Sequence, residues 1–182
     1  MPEWVNLANL LTLLRVFLVP PVVYYILEGR YQVAGWLFGA AAFTDILDGL
    51  AARGLELKTP IGAYFDPIAD KTLLSGVFLA LAWAHIVPWW LVAVIFGRDL
   101  YILLGSILFL IFTPIRKFPP TVWGKMSTFV QIFTVVFWMA RLAFSTPILV
   151  EISDAILWPC VAFTLWSGLH YTWVGIHLYR KY

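Results

Sequence analysis

Six long apolar segments follow one another along this chain with only short joints between them, near residues 9–28, 32–53, 61–86, 88–113, 121–144 and 153–178. Each is long enough to cross the roughly 30 Å hydrocarbon core of a bilayer, which takes about 20 residues of helix. They are too long for barrel strands and lack a sustained period of two, so helices are the only spanning structure they can form. The joints carry breakers: Glu28-Gly29-Arg30, Lys58-Thr59-Pro60, Val87-Pro88, Pro119-Pro120 and Ser145-Thr146-Pro147. Apolar residues make up 62% of the chain and charged ones 12%. Ordinary soluble domains carry about 25% charged residues, so lipid has to solvate much of this surface. The expected fold is an all-α integral membrane domain of six transmembrane helices spanning 1–182. Asn6 to Arg15 is more polar than a span should be, and reads as an interfacial helix that precedes Pro20-Pro21 and the first crossing.

The net charge of +2 is too small to point to nucleic acid. With six spans both ends share a side, which receives Arg53, Lys58, Lys71, Arg116, Lys117, Lys125, Arg180 and Lys181; Arg30, Arg141, Glu151 and Asp154 fall on the other. The excess of basic residues predicts that the termini and the 53–60 and 114–120 loops face the cytoplasm. The start Met1-Pro2-Glu3-Trp4 lacks a basic signal region, and no small-residue cleavage site follows, so the first apolar stretch reads as retained. Cys160 is the single cysteine, expected to serve packing. Trp89, Trp90, Trp158 and Trp173 fit an aromatic belt, and His85, His170 and His177 read as interfacial residues.

Four aspartates break this apolar pattern. Asp45 and Asp48 are three apart near the end of the second segment and share one helical face. Gly62, Asp66 and Asp70 recur every four residues as one stripe on the third. A short turn makes the two helices antiparallel neighbours, so four carboxylates can converge near the membrane surface. A carboxylate at the centre of a membrane helix costs about 2.5–3.5 kcal/mol even on insertion scales, and mutual repulsion adds to that. Two divalent cations would offset the four charges, and an all-oxygen ligand set suits magnesium or manganese. A pair of such ions is a known clamp for displacement at phosphorus. Gly49, Ala52 and Gly62 leave room for close helix approach or a flat ligand, and Arg53 suits a phosphate. Glu56 and Lys58 read as solvating their loop.

The string Asp45-x2-Asp48-Gly49-x2-Ala52-Arg53-x8-Gly62-x3-Asp66-x3-Asp70 resembles the defining motif of the CDP-alcohol phosphatidyltransferase family at all eight fixed positions. The resemblance implies a magnesium- or manganese-dependent attack of an alcohol on the β-phosphate of a CDP-linked lipid, releasing CMP. It implies metal binding by Asp45, Asp48, Asp66 and Asp70, with Asp70 also the general base. Gly49, Ala52, Arg53, Thr59 and Gly62 would contact the CDP moiety, joined by Asn9 and Thr12 from the N-terminal stretch, where Ala8 stands in place of the family's Pro. A homodimer is implied as well.

The start Asn9-Leu-Leu-Thr-Leu-Leu-Arg-Val-Phe-Leu-Val-Pro20 and the later Gly124-Lys125-x2-Thr128-x2-Gln131 resemble the branch that uses CDP-diacylglycerol and glycerol 3-phosphate. The related branch that makes cardiolipin from phosphatidylglycerol shares them, and Arg98-Asp99 resembles that second branch. Either acceptor carries a phosphate. Arg98, about ten residues into the fourth helix, reads either as a ligand for it or as half of an ion pair with a carboxylate on a neighbouring helix. Lys125 is a second acceptor-binding candidate, whereas Arg116 and Lys117 fit membrane anchoring. A divalent-cation transporter is the non-enzymatic alternative, but it predicts acids spread through the membrane depth rather than crowded at one end of two helices.

Overall fold

The computed structural model describes the backbone of residues 7–54, 60–112 and 121–180, and the side chains of 13–44, 71–109, 111–112 and 121–178. This described chain forms six helices: α1 (Leu7–Leu27), α2 (Tyr31–Gly54), α3 (Pro60–Trp83), α4 (Trp89–Phe112), α5 (Val122–Phe144) and α6 (Pro147–Arg180). Among the described residues, α4, α5 and α6 each contain a stretch long and apolar enough to cross a membrane, while the apolar stretches Leu13–Leu27 and Lys71–Trp83 are shorter. The chain is a multi-pass membrane protein.

Helix ends follow from local backbone chemistry. After α1 the chain enters the left-handed region at Gly29 (φ 73°), where Gly29 N–H donates to Ile26 O and Arg30 N–H to Tyr25 O. That pair of bonds is a Schellman cap, and glycine adopts its φ without a Cβ penalty. The same pair closes α3 around His85 (φ 57°), from His85 N–H to Ala82 O and Ile86 N–H to Leu81 O. This cap ends α3 at Trp83 rather than near residue 86. A third left-handed residue, Ser145 (φ 49°), closes α5.

Two expectations need correction. Residues 7–15 do not form a separate surface helix, because α1 runs unbroken through Pro20 and Pro21. Helix α6 starts at Pro147, six residues before the expected start at 153. Proline suits the first helical position, and Thr146 O accepts from Leu149 and Val150 N–H. The 34 residues of α6 run roughly 50 Å at 1.5 Å per residue, longer than the bilayer core. Its first turns carry the exposed, charged Glu151 and Asp154.

The helices group into two compact units, Met1–Ile86 with Trp138–Ser145, and Val87–Phe137 with Thr146–Tyr182. In the first, α1 packs against both α2 and α3. Its core includes Val22, Ile26, Ala34, Phe38, Ala41, Leu73, Val77 and Phe78. Gln32 Nε2 donates to Ala143 O at 3.1 Å, tying α2 to the end of α5. In the second unit α4 packs against α6.

At the α1–α3 contact a Cβ added to Gly76 would sit 3.0 Å from Val19 Cγ1 and 3.5 Å from Val23 Cγ2, whereas one added to Gly105 would meet nothing within 4 Å. Forcing extra carbons into a packed contact costs about 1–3 kcal/mol. Gly76→Leu should therefore lower the thermal midpoint in detergent by several degrees, with Gly105→Leu as the unaffected control.

Candidate functional site

Asp45, Asp48, Gly49, Ala52 and Arg53 lie on α2, and Gly62, Asp66 and Asp70 on α3. Helical backbone at these positions keeps Asp45 with Asp48, and Asp66 with Asp70, on one face of their helices. The donor type is carboxylate oxygen throughout, which fits a hard divalent cation. The side chains of these eight residues lie outside the described residues. So do those of Asn9 and Thr12 on α1, and Thr59 entirely. Among the described residues no cluster of three or more His, Cys, Asp or Glu could hold a metal.

The second unit contains a described polar cluster, centred on Arg98. This arginine rises from the middle of α4 with its side chain only 9% exposed. Its Nη1 donates to Asp99 Oδ1 at 2.6 Å and its Nη2 to Ser167 Oγ, while Nε is buried without a hydrogen-bond partner among the described residues. The expected ion pair is thus present, but its carboxylate is the next residue on the same helix. The reason is local: α6, which packs against α4, offers Ser167 there, a neutral hydroxyl that is fully buried.

Two glycines give the guanidinium its room. A Cβ on Gly168 would lie 3.7 Å from Arg98 Cγ, and one on Gly124 would lie 3.4 Å from Arg98 Nη2. The Gly124 position is tight on other sides too, with Thr121 Oγ1 and Tyr171 Cε2 both 3.3 Å from that Cβ. Thr121 caps α5, its Oγ1 accepting from Gly124 N–H at 3.1 Å, and its own N–H donates to Tyr171 Oη at 3.4 Å. Lys125, the other candidate for the acceptor, is exposed in the first turn of α5.

Below this cluster a buried polar seam joins α5 to α6. Gln131 Nε2 donates to Thr164 Oγ1 at 3.2 Å and to Ser127 Oγ at 3.4 Å, and the two hydroxyls lie 3.3 Å apart. Thr164 Oγ1 in turn donates to Cys160 O at 2.7 Å. Cys160 is buried, in keeping with a packing role. Between apolar helices, such side-chain bonds act as glue. The Gly124-Lys125-x2-Thr128-x2-Gln131 pattern therefore combines a clearance for Arg98 with an interhelical bond.

His170 and His177 flank Trp173, with ring centroids 5.7 and 5.5 Å away, so both belong to an aromatic ladder on α6. Trp89, Trp90, Trp158 and Trp173 are exposed, as an aromatic belt requires.

Sequence reasoning missed Ser167, Gly168, Tyr171 and the buried Arg15 of α1, which is 1% exposed. The available signal for Ser167 was its spacing from Thr164 and Cys160, which places small polar residues on one face of α6.

The family model of the CDP-alcohol phosphatidyltransferases matches residues 5–166. The chain is 38% identical over 133 residues to a probable phosphatidylglycerophosphate synthase of Mycobacterium tuberculosis, covering 69% of this chain and 62% of that protein. It is 32% identical over 187 residues to the CMP-forming cardiolipin synthase of Rattus norvegicus, covering 91% of this chain and 61% of the relative. To the CDP-diacylglycerol–glycerol-3-phosphate 3-phosphatidyltransferase of Pseudomonas fluorescens it is 34% identical over 176 residues, or 91% of this chain and 88% of that protein. The chain thus spans somewhat over three-fifths of the first two relatives and most of the third.

Gln131→Leu keeps the bulk of the seam but leaves the Ser127 and Thr164 hydroxyls without their donor. Interhelical bonds in membranes average about 0.6 kcal/mol and reach about 1.7. Thermal unfolding in detergent should show a loss of about 1 kcal/mol.

Proposed function

We propose that this chain, which belongs to the CDP-alcohol phosphatidyltransferase family, moves a phosphatidyl group from CDP-diacylglycerol to glycerol 3-phosphate and releases CMP. The observation that carries this reading is the near full-length similarity to the Pseudomonas fluorescens enzyme of that name, over 91% of this chain. The intact aspartate motif on α2 and α3 supports it. In this reading all six helices cross the bilayer, with both termini and the aspartates on the cytoplasmic side, and the chain acts as a homodimer.

The chemistry divides among this chain's residues. Asp45, Asp48, Asp66 and Asp70 hold magnesium or manganese, two ions for four carboxylates. Bound metal supplies charge neutralisation at the diphosphate. Gly49, Ala52 and Gly62 leave space for the nucleotide, with Arg53 on its phosphate and Thr59, Asn9 and Thr12 as further CDP contacts. Asp70 accepts the proton of the acceptor hydroxyl, whose oxygen attacks the β-phosphorus as the bond to CMP breaks. Arg98 binds the acceptor's phosphate, and the exposed Lys125 draws it in.

A second acceptor, phosphatidylglycerol, is favoured by the Arg98-Asp99 pair and by the similarity to the rat cardiolipin synthase, likewise over 91% of the chain. Family membership argues against the cation-transporter alternative.

Purified protein with CDP-diacylglycerol and magnesium should release CMP when glycerol 3-phosphate is added. A clear preference for phosphatidylglycerol would reassign the branch, and no release with any alcohol would overturn the enzymatic reading. Asp70→Asn should abolish turnover, by a factor of about a hundred or more, as for loss of a general base. It should retain CDP-diacylglycerol binding, measured by equilibrium titration.

A further inference from the structure

We propose that Ser167 is a positioning residue for acceptor recognition, holding the Arg98 guanidinium in place without cancelling its charge. The inference rests on the reading of Arg98 as the ligand for the acceptor's phosphate.

A free arginine side chain loses about 2 kcal/mol of rotamer freedom when it is pinned, and a ligand that must do the pinning binds correspondingly more weakly. Here the pinning is done within the protein. Asp99 holds Nη1 and Ser167 holds Nη2, from two different helices. Gly124 and Gly168 clear the path along the side chain.

The two partners differ in what they do to the charge. Asp99 offsets it, and its side chain is 25% exposed. Ser167 is wholly buried and neutral, so it fixes direction while leaving the guanidinium positive. A second carboxylate at position 167 would hold the arginine as firmly, but would leave a net negative cluster that repels a phosphate. Of the five guanidinium N–H groups, two are used by Asp99 and Ser167. Nε is buried and has no hydrogen-bond partner among the described residues. The α5–α6 seam through Gln131, Ser127 and Thr164 fixes α6 one turn before Ser167, so the hydroxyl itself is held.

The test is steady-state CMP release in detergent micelles, varying each substrate in turn, with the acceptor that supports turnover. Ser167→Ala should raise KM for the acceptor by about tenfold, the scale of a lost hydrogen bond to a charged group. KM for CDP-diacylglycerol should stay near wild type, which separates a loss at the acceptor from a general loss of stability. Ser167→Cys, nearly the same size and a weaker acceptor, should fall between. Ser127→Ala removes a seam hydroxyl that does not touch Arg98, and should move the midpoint rather than the acceptor KM. An unchanged acceptor KM in Ser167→Ala, or equal rises in both KM values, would overturn the proposal. Arg98→Gln separates the two levels. If it leaves the acceptor KM unchanged, the phosphate reading of Arg98 falls and this proposal with it. If it raises that KM while Ser167→Ala does not, only the positioning role falls.

Discussion

Every polar group that this chain carries into its apolar helices has to be answered from inside the protein, because lipid offers no hydrogen bonds. Arg98 makes the rule visible. A charged group at the middle of a membrane helix costs several kcal/mol unless it is paired, and three features of the second unit serve that need. Asp99 supplies the counter-charge, Ser167 supplies the hydroxyl, and Gly124 with Gly168 supply the space. The same rule governs the neutral seam, where the Gln131 amide donates to two hydroxyls that also lie within hydrogen-bond distance of each other. It also explains the helix ends. Gly29, His85 and Ser145 turn left-handed so that the last carbonyls of α1, α3 and α5 find N–H partners.

Much of the architecture was legible from residue patterns, since apolar length and breakers are enough to locate long helices. Five of the six helices begin within two residues of their expected starts. The exception is instructive. The breaker Ser145-Thr146-Pro147 reads as the end of the preceding segment without starting the next, yet a helix longer than the membrane is thick can begin at Pro147 and carry charges on turns that lie outside it. The polar start of the first segment misled in the other direction. Asn6 to Arg15 suggested a surface helix ahead of the prolines, but α1 continues from Leu7 through Pro20 and Pro21, as membrane helices often allow. The α3 end was overestimated because the left-handed cap at His85 is not marked by glycine, the usual residue at that position.

The candidate sites divide by how far their chemistry is local. The aspartate motif was readable because all of its fixed positions fall within 26 residues on two adjacent segments, at spacings that only a helix face explains. Arg98 was readable as a charge out of place, but not its partners. Ser167 is 69 residues away and chemically unremarkable in sequence. Only the packing of α4 on α6 gives it meaning. The carboxylate on Arg98 illustrates the same limit at short range. A neighbouring helix was the expected source, whereas adjacency in sequence had already placed Asp99 within reach.

On the proposed reading, the Arg98 cluster bears on acceptor choice in a specific way. Glycerol 3-phosphate and phosphatidylglycerol both present a phosphate near the attacking hydroxyl, so a guanidinium alone rewards either. Their differences lie elsewhere: the first is a small dianion at neutral pH, the second a monoanion carrying two acyl chains. A cluster whose positive charge is partly offset by Asp99 suits the monoanion better than an unpaired arginine would, and it loses some of its advantage with the dianion. The exposed Lys125 acts in the opposite sense, adding field without a local counter-charge on its own turn. Charge therefore leaves the two acceptors close in preference. Discrimination falls to space, that is, to whether the region around the pinned guanidinium admits acyl chains from the bilayer or only a three-carbon phosphate. Small side chains such as Gly124 and Gly168 are the physical means by which such room is opened or closed, and a single added Cβ at Gly124 already reaches Arg98, Thr121 and Tyr171.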